Sequence, residues 1–291
     1  MNDGFLIVDK GSGMTSHDVV AMGRKALGMR KVGHAGTLDP MATGVLVLGF
    51  GNGTRLLQYI TNGDKSYQAT IVLGASTVTD DIEGEILSRV DASGVEDSEI
   101  KRILNAMIGT ISQRPSSVSA VKVDGERAYD RVRAGEVFEL AARTITIRSL
   151  EILDIRHLAE CTEVDIDVTC SAGTFIRAIA RDLGKELGVG GYLRVLRRTR
   201  VAGFTLDVAT SIEDLKSKSF TTLGLTEVAR RTFAVRELTL EEVRELSFGR
   251  PLVPSSREEI VAGISPDNVL IALLKDEGDK AKPVAVFAAA Q

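Results

Sequence analysis

The amino-acid sequence predicts an α+β fold built on a mostly antiparallel mixed sheet, followed by a small β-rich domain at the C-terminal end. Three observations carry that prediction. Segments such as Thr144-Ile145-Thr146-Ile147 and Glu163 through Cys170 alternate apolar and polar residues with period two, which marks half-buried strands suited to antiparallel pairing. Other segments space their apolar residues at helical intervals, without the regular strand-helix-strand rhythm of a parallel sheet. Beyond about Thr232 the pattern changes to one helical stretch and several short apolar runs, so residues 1–232 read as one domain and 233–291 as a second.

Phe5-Leu6-Ile7-Val8-Asp9 reads as the opening strand, followed by a Gly-rich turn and a helix from Ser16 to about Leu27. Ser16 can accept from the first free amides of that helix, and Asp18 suits its positive end. Val45 through Phe50 reads as a buried strand, and Tyr67 through Leu73, rich in strand formers, as another. Ile100, Ile103, Leu104 and Met107 fall at helical spacing, which predicts a helix over Asp97 to Ile108. Ser171-Ala172-Gly173-Thr174 closes a strand and opens a helix through Phe175, Ile179, Leu183 and Leu187. Arg177, Arg181 and Lys185 then share one flank of that helix at i, i+4 and i+8. The C-terminal domain holds a helical stretch (Leu240 to Leu246), the turn Gly249-Arg250-Pro251, and apolar runs at Ile260–Ile264, Val269–Leu274 and Val284–Ala289.

A chain of 291 residues, 44% hydrophobic and 26% charged, is long enough for one sizeable core and a smaller domain of an ordinary soluble protein. No run approaches a membrane span, and Met1-Asn2-Asp3-Gly4 lacks the basic start of a secretory signal, so a cytoplasmic address is expected. Cys161 and Cys170 have no metal-ligand spacing and read as small hydrophobes, while His17, His34 and His157 form no paired-ligand pattern. Neither metal nor cofactor is expected. The net charge of −4 argues at first against a nucleic-acid partner, but the charge is unevenly spread. From Cys170 to Thr205, Arg177, Arg181, Lys185, Arg194, Arg197, Arg198 and Arg200 face only Asp182 and Glu186. From Ser76 to Lys101, eight acidic residues face only Arg89 and Lys101. A cationic face and a repelling face would follow, or simply two solvated surfaces; charge alone leaves the choice even.

The most informative segment is Gly33-His34-Ala35-Gly36-Thr37-Leu38-Asp39-Pro40-Met41-Ala42-Thr43-Gly44, which isolates one carboxylate among glycines and small residues. Glycines permit tight turns and close approach of a ligand, and Pro40 pushes Asp39 towards extended geometry. An arbitrary Asp-Pro pair would be read as a turn. Here the whole segment resembles the signature loop of the TruB class of tRNA pseudouridine synthases. The resemblance continues through Val8-Asp9-Lys10, Gly13-Met14-Thr15-Ser16, Lys65-Ser66-Tyr67, Ser116 to Tyr129, Gly173-Thr174-Phe175-Ile176-Arg177 and Leu196-Arg197-Arg198, spanning roughly residues 5 to 205. Two departures stand out: Gly11 follows Lys10 where the family usually has proline, and Ser116-Ser117-Val118 replaces a commoner proline and aromatic pattern before Ser119-Ala120.

The resemblance implies the pseudouridine synthase fold with its cleft crossing the sheet, and a C-terminal domain similar to the RNA-binding PUA barrel. It implies isomerisation of the T-loop uridine of tRNA, position 55, with the base flipped out of the loop and Asp39 as nucleophile. Attack at the anomeric carbon or at carbon 6 of uracil fits equally well. A nucleophile ionised in a water-poor pocket needs a fixed cation, and Arg177 is the candidate because guanidinium stays charged when buried and can grip a carboxylate with two bonds. Tyr67 would stack on the base or accept a proton from carbon 5, against the alternative of an ordinary strand aromatic. Leu196 would line the pocket or simply fill the core. His34 would brace the disrupted RNA loop or serve only a turn. Lys10, Arg181 and Arg197 are candidates for phosphate contact, the alternatives being a surface lysine and a solvated basic stripe. A monomer that encloses one tRNA stem-loop is the default. Removing the C-terminal domain near Thr232 would then weaken RNA binding more than the chemical step.

Two other functions were weighed against these residues. A tRNA-binding chaperone with secondary catalysis would use the same basic segment and tail. A nucleotide-binding enzyme would draw on Gly49-Phe50-Gly51-Asn52-Gly53-Thr54, but this run lacks the lysine of a P-loop and the full spacing of a dinucleotide fingerprint.

Overall fold

A computed structural model describes residues 3–116 and 140–287, together with the backbone of the short paired strands Lys122–Val123 and Glu126–Arg127. The departures at Ser117 and Val118, and Tyr129 at the end of the matching segment that starts at Ser116, lie outside the described residues. A nine-stranded sheet forms the centre of the molecule. Its strands are β1 (Gly4–Lys10), β2 (Val32–His34), β3 (Thr43–Phe50), β4 (Lys65–Leu73), β5 (Gly109–Gln113), β6 (Arg143–His157), β7 (Thr162–Cys170), β8 (Gly191–Val201) and β9 (Phe204–Thr205). The spatial order is β1-β3-β8-β4-β7-β6-β5, with β2 on β3 and β9 on β8. Every pairing is antiparallel except β3 with β8, so the sheet is mixed, as the period-two segments predict.

That parallel contact brings residues 43 and 44 beside residues 197 and 198, and it closes the glycine-rich loop onto the centre of the sheet. Strand alternation then decides what faces what. Tyr67, Ala69, Ile71 and Leu73 of β4 and Val164, Ile166 and Val168 of β7 point to one face. There they pack against Ile100, Ile103 and Leu104 of helix α2 (Asp97–Ala106) and Ile176, Ile179 and Leu183 of helix α3 (Ile176–Glu186). Each such side chain, fully buried, stabilises the fold by about 1.5–3 kcal/mol before entropy is counted. Helix α1 (Ser16–Leu27) covers β1 and β3 through Val19 and Val20 against Leu6, Val8, Leu46 and Leu48. Its N-cap is Thr15, whose hydroxyl and backbone form a reciprocal capping box with Asp18. Ser16, expected at that position, is instead turned inward and used elsewhere.

The C-terminal domain is an open four-stranded sheet in the order β10 (Ala234–Glu237), β11 (Val261–Ile264), β12 (Leu270–Glu277) and β13 (Lys280–Val286). It does not stand apart. Ala262, Ile264, Leu270 and Leu273 belong to one buried cluster with Phe5, Ile7, Val45 and Leu56, joined by Val228 and Ala229 of helix α4 (Leu225–Thr232). Cutting near Thr232 therefore removes one wall of a shared core, and the folded catalytic remainder expected from sequence would lose apolar burial along β1 and α4. No helix among the described residues is long and apolar enough to cross a membrane. Cys170 is buried and Cys161 half-buried, both as free thiols.

Gly44 marks the tightest point of the sheet. Its φ of 105° lies where side chains are strained, and a Cβ there would sit 2.1 Å from the Arg198 carbonyl oxygen. Gly44→Ala is expected to destabilise the protein by roughly 3 kcal/mol through backbone strain and overpacking. A urea-denaturation midpoint equal to that of the parent chain would contradict this account of the β3–β8 junction.

Candidate active site

The loop between β2 and β3 is short of secondary structure, so its backbone groups must find partners elsewhere. Three side chains supply them, and a fourth takes the loop's carboxylate. Ser16 Oγ accepts from the Leu38 amide at 2.9 Å and donates to the Leu38 carbonyl at 3.2 Å. Lys10 Nζ donates to the carbonyls of Gly11, Met14 and Pro40 at 2.9, 2.8 and 3.2 Å. Arg198 donates to Val45, Thr37 and Gly36 at 2.8, 3.2 and 3.1 Å. Arg177 takes the carboxylate itself: Nε lies 3.0 Å from Asp39 Oδ2 and Nη2 lies 3.4 Å from Oδ1. With its neighbours tied down on both sides, Asp39 is the group the loop presents, and its side chain keeps 34% exposure beside an arginine of only 7%.

Arg177 is held from behind as well. Its Nη1 donates to the Thr79 carbonyl at 2.8 Å and lies 3.2 Å from Asp81 Oδ2, a carboxylate of 4% exposure that also accepts from the Glu83 amide at 3.1 Å. A buried guanidinium between two carboxylates, with further hydrogen bonds, recovers the cost of leaving water. These groups edge a cavity of about 540 Å³ lined by Asp39, Tyr67, Arg143, Arg177, Leu196 and Arg198 among others. Tyr67 stands opposite Arg198 across the β4–β8 register and is 7% exposed. Burial pushes its phenol above the ordinary value, while the positive charge of the neighbouring Arg198 guanidinium acts in the other direction. Leu196, at 5% exposure, does both things expected of it: it lines the cavity and belongs to the main core cluster.

The remaining candidates are placed differently. Lys10 is fully buried, neither a surface lysine nor a group free to meet a phosphate, because all its bonding goes to loop carbonyls. Arg181 is drawn to Asp182 at 2.8 Å, to Asp80 at 3.4 Å and to the Arg114 carbonyl at 2.8 Å. Arg197 forms a two-bond pair with Asp9 at 3.1 and 2.7 Å. Arg194 pairs with Glu163. The acidic and basic stretches are thus not opposite faces: Asp80 and Asp81 of the first reach Arg181 and Arg177 of the second. His34 lies edge-on to His17 with ring centroids 5.7 Å apart, and burial lowers its pKa. Its Nδ1 is buried without a hydrogen-bond partner among the described residues.

Family models cover nearly the whole chain. Residues 24–176 match the TruB family pseudouridylate synthase N-terminal domain, 177–232 the tRNA pseudouridylate synthase B C-terminal domain, and 233–288 the tRNA pseudouridine synthase II C-terminal model. The chain belongs to the TruB family. A tRNA pseudouridine synthase B of Arthrobacter sp. (strain FB24) is 50% identical over 299 residues, covering 99% of this chain and 97% of the relative. One from Thermobifida fusca (strain YX) is 47% identical over 292 residues, covering 99% of each. Among solved structures, a chain of a Cbf5-Nop10-Gar1 complex superposes with a TM-score of 0.75 at 25% identity, covering 99% of this chain and 86% of that one. A chain of an archaeal box H/ACA Nop10-Cbf5 complex gives 0.73 at 23% identity, covering 99% and 87%. These likenesses support the pseudouridine synthase fold expected from the loop motif.

In this TruB chain the residues that sequence reasoning passed over are the supports: Ser16, Asp81, Lys65 and Arg198. Lys65 lines the cavity and donates to the carbonyls of Thr61 and Gly63 at 2.7 and 2.9 Å. Ser16, Lys65 and Arg198 each lie in a segment that carries the family resemblance, whereas Asp81 is one acidic residue among eight in its stretch. Ser16→Ala would leave both Leu38 backbone groups unpaired, at an expected cost of about 1–3 kcal/mol in urea denaturation; a loss below a few tenths would show the loop is held without it. Burial also pushes both Lys10 and Lys65 down to about 8. The unfolded chain then binds more protons than the native state between about pH 8 and the ordinary lysine value, so this contribution to stability rises with pH there and is lost as pH falls through 8. Lys65→Met, which removes one of the two amines, is expected to lower the slope of unfolding free energy against pH over pH 8 to 9, as read from urea curves; an unchanged slope would contradict the burial of a charged amine there.

Proposed function

We propose that this chain isomerises uridine to pseudouridine in tRNA, at the T-loop uridine of position 55, with Asp39 as the nucleophile. The observation that carries this reading is the Asp39–Arg177 pair: a single part-exposed carboxylate, gripped by a buried guanidinium, at the edge of a cavity with Tyr67 in its wall. A cavity of about 540 Å³ falls within the size of pockets that enclose a small ligand, and suits one flipped nucleotide.

The reaction balances without a cofactor. The bond from uracil N1 to the ribose anomeric carbon breaks, the base turns, and carbon 5 joins the anomeric carbon. Carbon 5 gives up its proton and N1 gains one, so substrate and product are isomers. Asp39 bonds transiently either to the anomeric carbon or to carbon 6, and in both routes the carboxylate is restored at the end. Arg177 supplies a fixed countercharge, kept in place by Asp81 and the Thr79 carbonyl. Tyr67 and Leu196 offer flat and apolar surface to the base, and the Tyr67 oxygen is the candidate proton acceptor.

A base reaches this cavity only after leaving its stack, which costs a few kcal/mol that RNA contacts must return. With Arg177, Arg181, Arg194 and Arg197 engaged by carboxylates, Arg143 is the exposed cation at the cavity wall suited to a flanking phosphate. His34 is read as a brace for the opened loop, and the C-terminal sheet as a PUA-like RNA-binding surface. The protein is read as a cytoplasmic monomer acting on one tRNA stem-loop.

Release of tritium from carbon 5 of uridine in an unmodified tRNA transcript tests the reaction directly. Release is expected from the parent chain and none from Asp39→Ala, with RNA binding retained in both. A folded parent chain that binds tRNA but releases no tritium would favour the chaperone reading. Arg143→Ala is expected to lower the slope of log affinity against log salt by about one phosphate contact. An unchanged slope would remove Arg143 from the RNA interface.

A further inference from the structure

Gln113 is the last residue of β5 and is 3% exposed. A buried carboxamide has to place both a donor and an acceptor. Both go to one residue 62 positions away: Oε1 accepts from the Phe175 amide at 2.9 Å, and Nε2 donates to the Phe175 carbonyl at 3.0 Å. Phe175 is the N-cap of α3, with extended backbone and no capping bond from its own side chain. Its carbonyl also accepts from the Ala178 amide at 3.1 Å, so the Gln113 amide closes the residue at which the chain passes from turn to helix. The other end of that turn is bonded to β6, where Ser171 donates its amide to the Thr146 carbonyl at 2.8 Å and its Oγ accepts from the Thr146 amide at 2.9 Å. One turn further along α3, Arg181 donates to the Arg114 and Pro115 carbonyls at 2.8 and 3.5 Å. The chain leaving β5 is thus bonded to α3 at two levels.

We infer that Gln113 is a positioning residue: its side-chain amide sets where α3 begins, and so where the Arg177 guanidinium stands against Asp39. The consequence for catalysis rests on the proposed isomerase reading, the contact itself on the two hydrogen bonds. Phe175, Ile176 and Arg177 all line the cavity, and Arg177 follows Phe175 by two residues, in the first turn of the helix. Asp81 and the Thr79 carbonyl hold the charged end of Arg177, while Gln113 holds the backbone end. A guanidinium that meets a carboxylate from two nitrogens, here at 3.0 and 3.4 Å, tolerates little displacement of its helix. Gln113 also pairs across the ladder with Arg143, the exposed cation at the cavity wall. One buried amide therefore sets the helix that carries the countercharge against the strand that carries the rim cation.

The test is a double-mutant cycle read by single-turnover tritium release. Gln113→Met, of similar length but without either bond, is expected to slow the chemical step about tenfold or more while leaving tRNA affinity within about twofold. In an Arg177→Lys background the same change should cost less than about threefold, because the two-nitrogen grip through which it acts is gone. A parent rate in a folded Gln113→Met variant, or additive losses in the cycle, would overturn the inference and leave Gln113 as a support of the fold alone. If Gln113→Met does not fold, Gln113→Asn, polar but one methylene too short to reach both Phe175 groups, carries the same expectation at about threefold or more. Nitrogen-15 NMR gives a second readout that needs no activity. The Arg177 Nε–H resonance, assigned by its loss in Arg177→Lys, reports the bond to Asp39 and should move in the Gln113 variant; a resonance at the parent position would also overturn the inference. If the parent chain itself releases no tritium, the isomerase reading fails while this resonance still tests the hold of Gln113 on Arg177.

Discussion

A buried guanidinium must be satisfied on all sides, and the architecture around this site is the solution to that problem for two arginines at once. Arg177 and Arg198 are 6% and 1% exposed, and each would be prohibitive without its partners. Arg177 is met by two carboxylates and a carbonyl, Arg198 by three carbonyls. Because those partners come from the β2–β3 loop, the start of β3 and the segment at Thr79–Asp81, satisfying the arginines fixes these pieces of chain against α3 and β8, which carry the two arginines. The loop that holds Asp39 has little packing of its own. Its order comes from donors that reach into it.

The division of labour between the two arginines follows from charge. On the proposed reading Arg177 faces a carboxylate that engages a substrate, and a second carboxylate behind it holds its position when the first becomes engaged. Asp81 does this from a turn in the acidic stretch, its Oδ1 accepting from the Glu83 amide and the Thr79 hydroxyl while Oδ2 meets Arg177. Arg198, by contrast, carries net positive charge into the site. That charge bears on Lys65 and Tyr67, both against the cavity: it lowers the lysine, and it opposes the upward push of burial on the phenol. A pocket with this balance suits a substrate that becomes electron-rich during reaction, as a uracil ring does when its glycosidic bond is cleaved.

Much of this was legible in the sequence, for definite reasons. The helix at Ser16–Leu27, the period-two strands at β6 and β7 and the helix at α3 follow from spacing, because their burial is one-sided, while β3 follows from an unbroken apolar run that is buried on both faces. The loop motif isolated Asp39; the requirement for a buried cation called for an arginine, and the family resemblance selected Arg177. What spacing could not give was pairing across the chain. Asp81 is one of eight acidic residues in its stretch, and only the turn at Thr77–Asp81 selects it. The cap of α1 was assigned one residue late because Ser16 and Thr15 are chemically alike; the distinction lies in Ser16 facing Leu38, a contact over 22 residues. Lys10 looked available to a phosphate because nothing local shows that three carbonyls converge on it.

The charge pattern shows the same limit and leads to a different view of RNA binding. Counting charges along the chain suggested a basic face made from residues 170–205, yet Arg177, Arg181, Arg194 and Arg197 of that segment pair with carboxylates of this protein. Each such pair is a substantial loss to phosphate binding, since releasing the arginine means leaving an acid unpaired. An RNA backbone would therefore be met by cations that the fold leaves exposed, such as Arg143 at the cavity wall, and affinity would rest on a few contacts in place of a broad basic face. A protein with net charge −4 is then a reasonable partner for a polyanion: repulsion from the bulk of the surface disfavours binding in wrong places, and the rim of one cavity supplies attraction where the chemistry is.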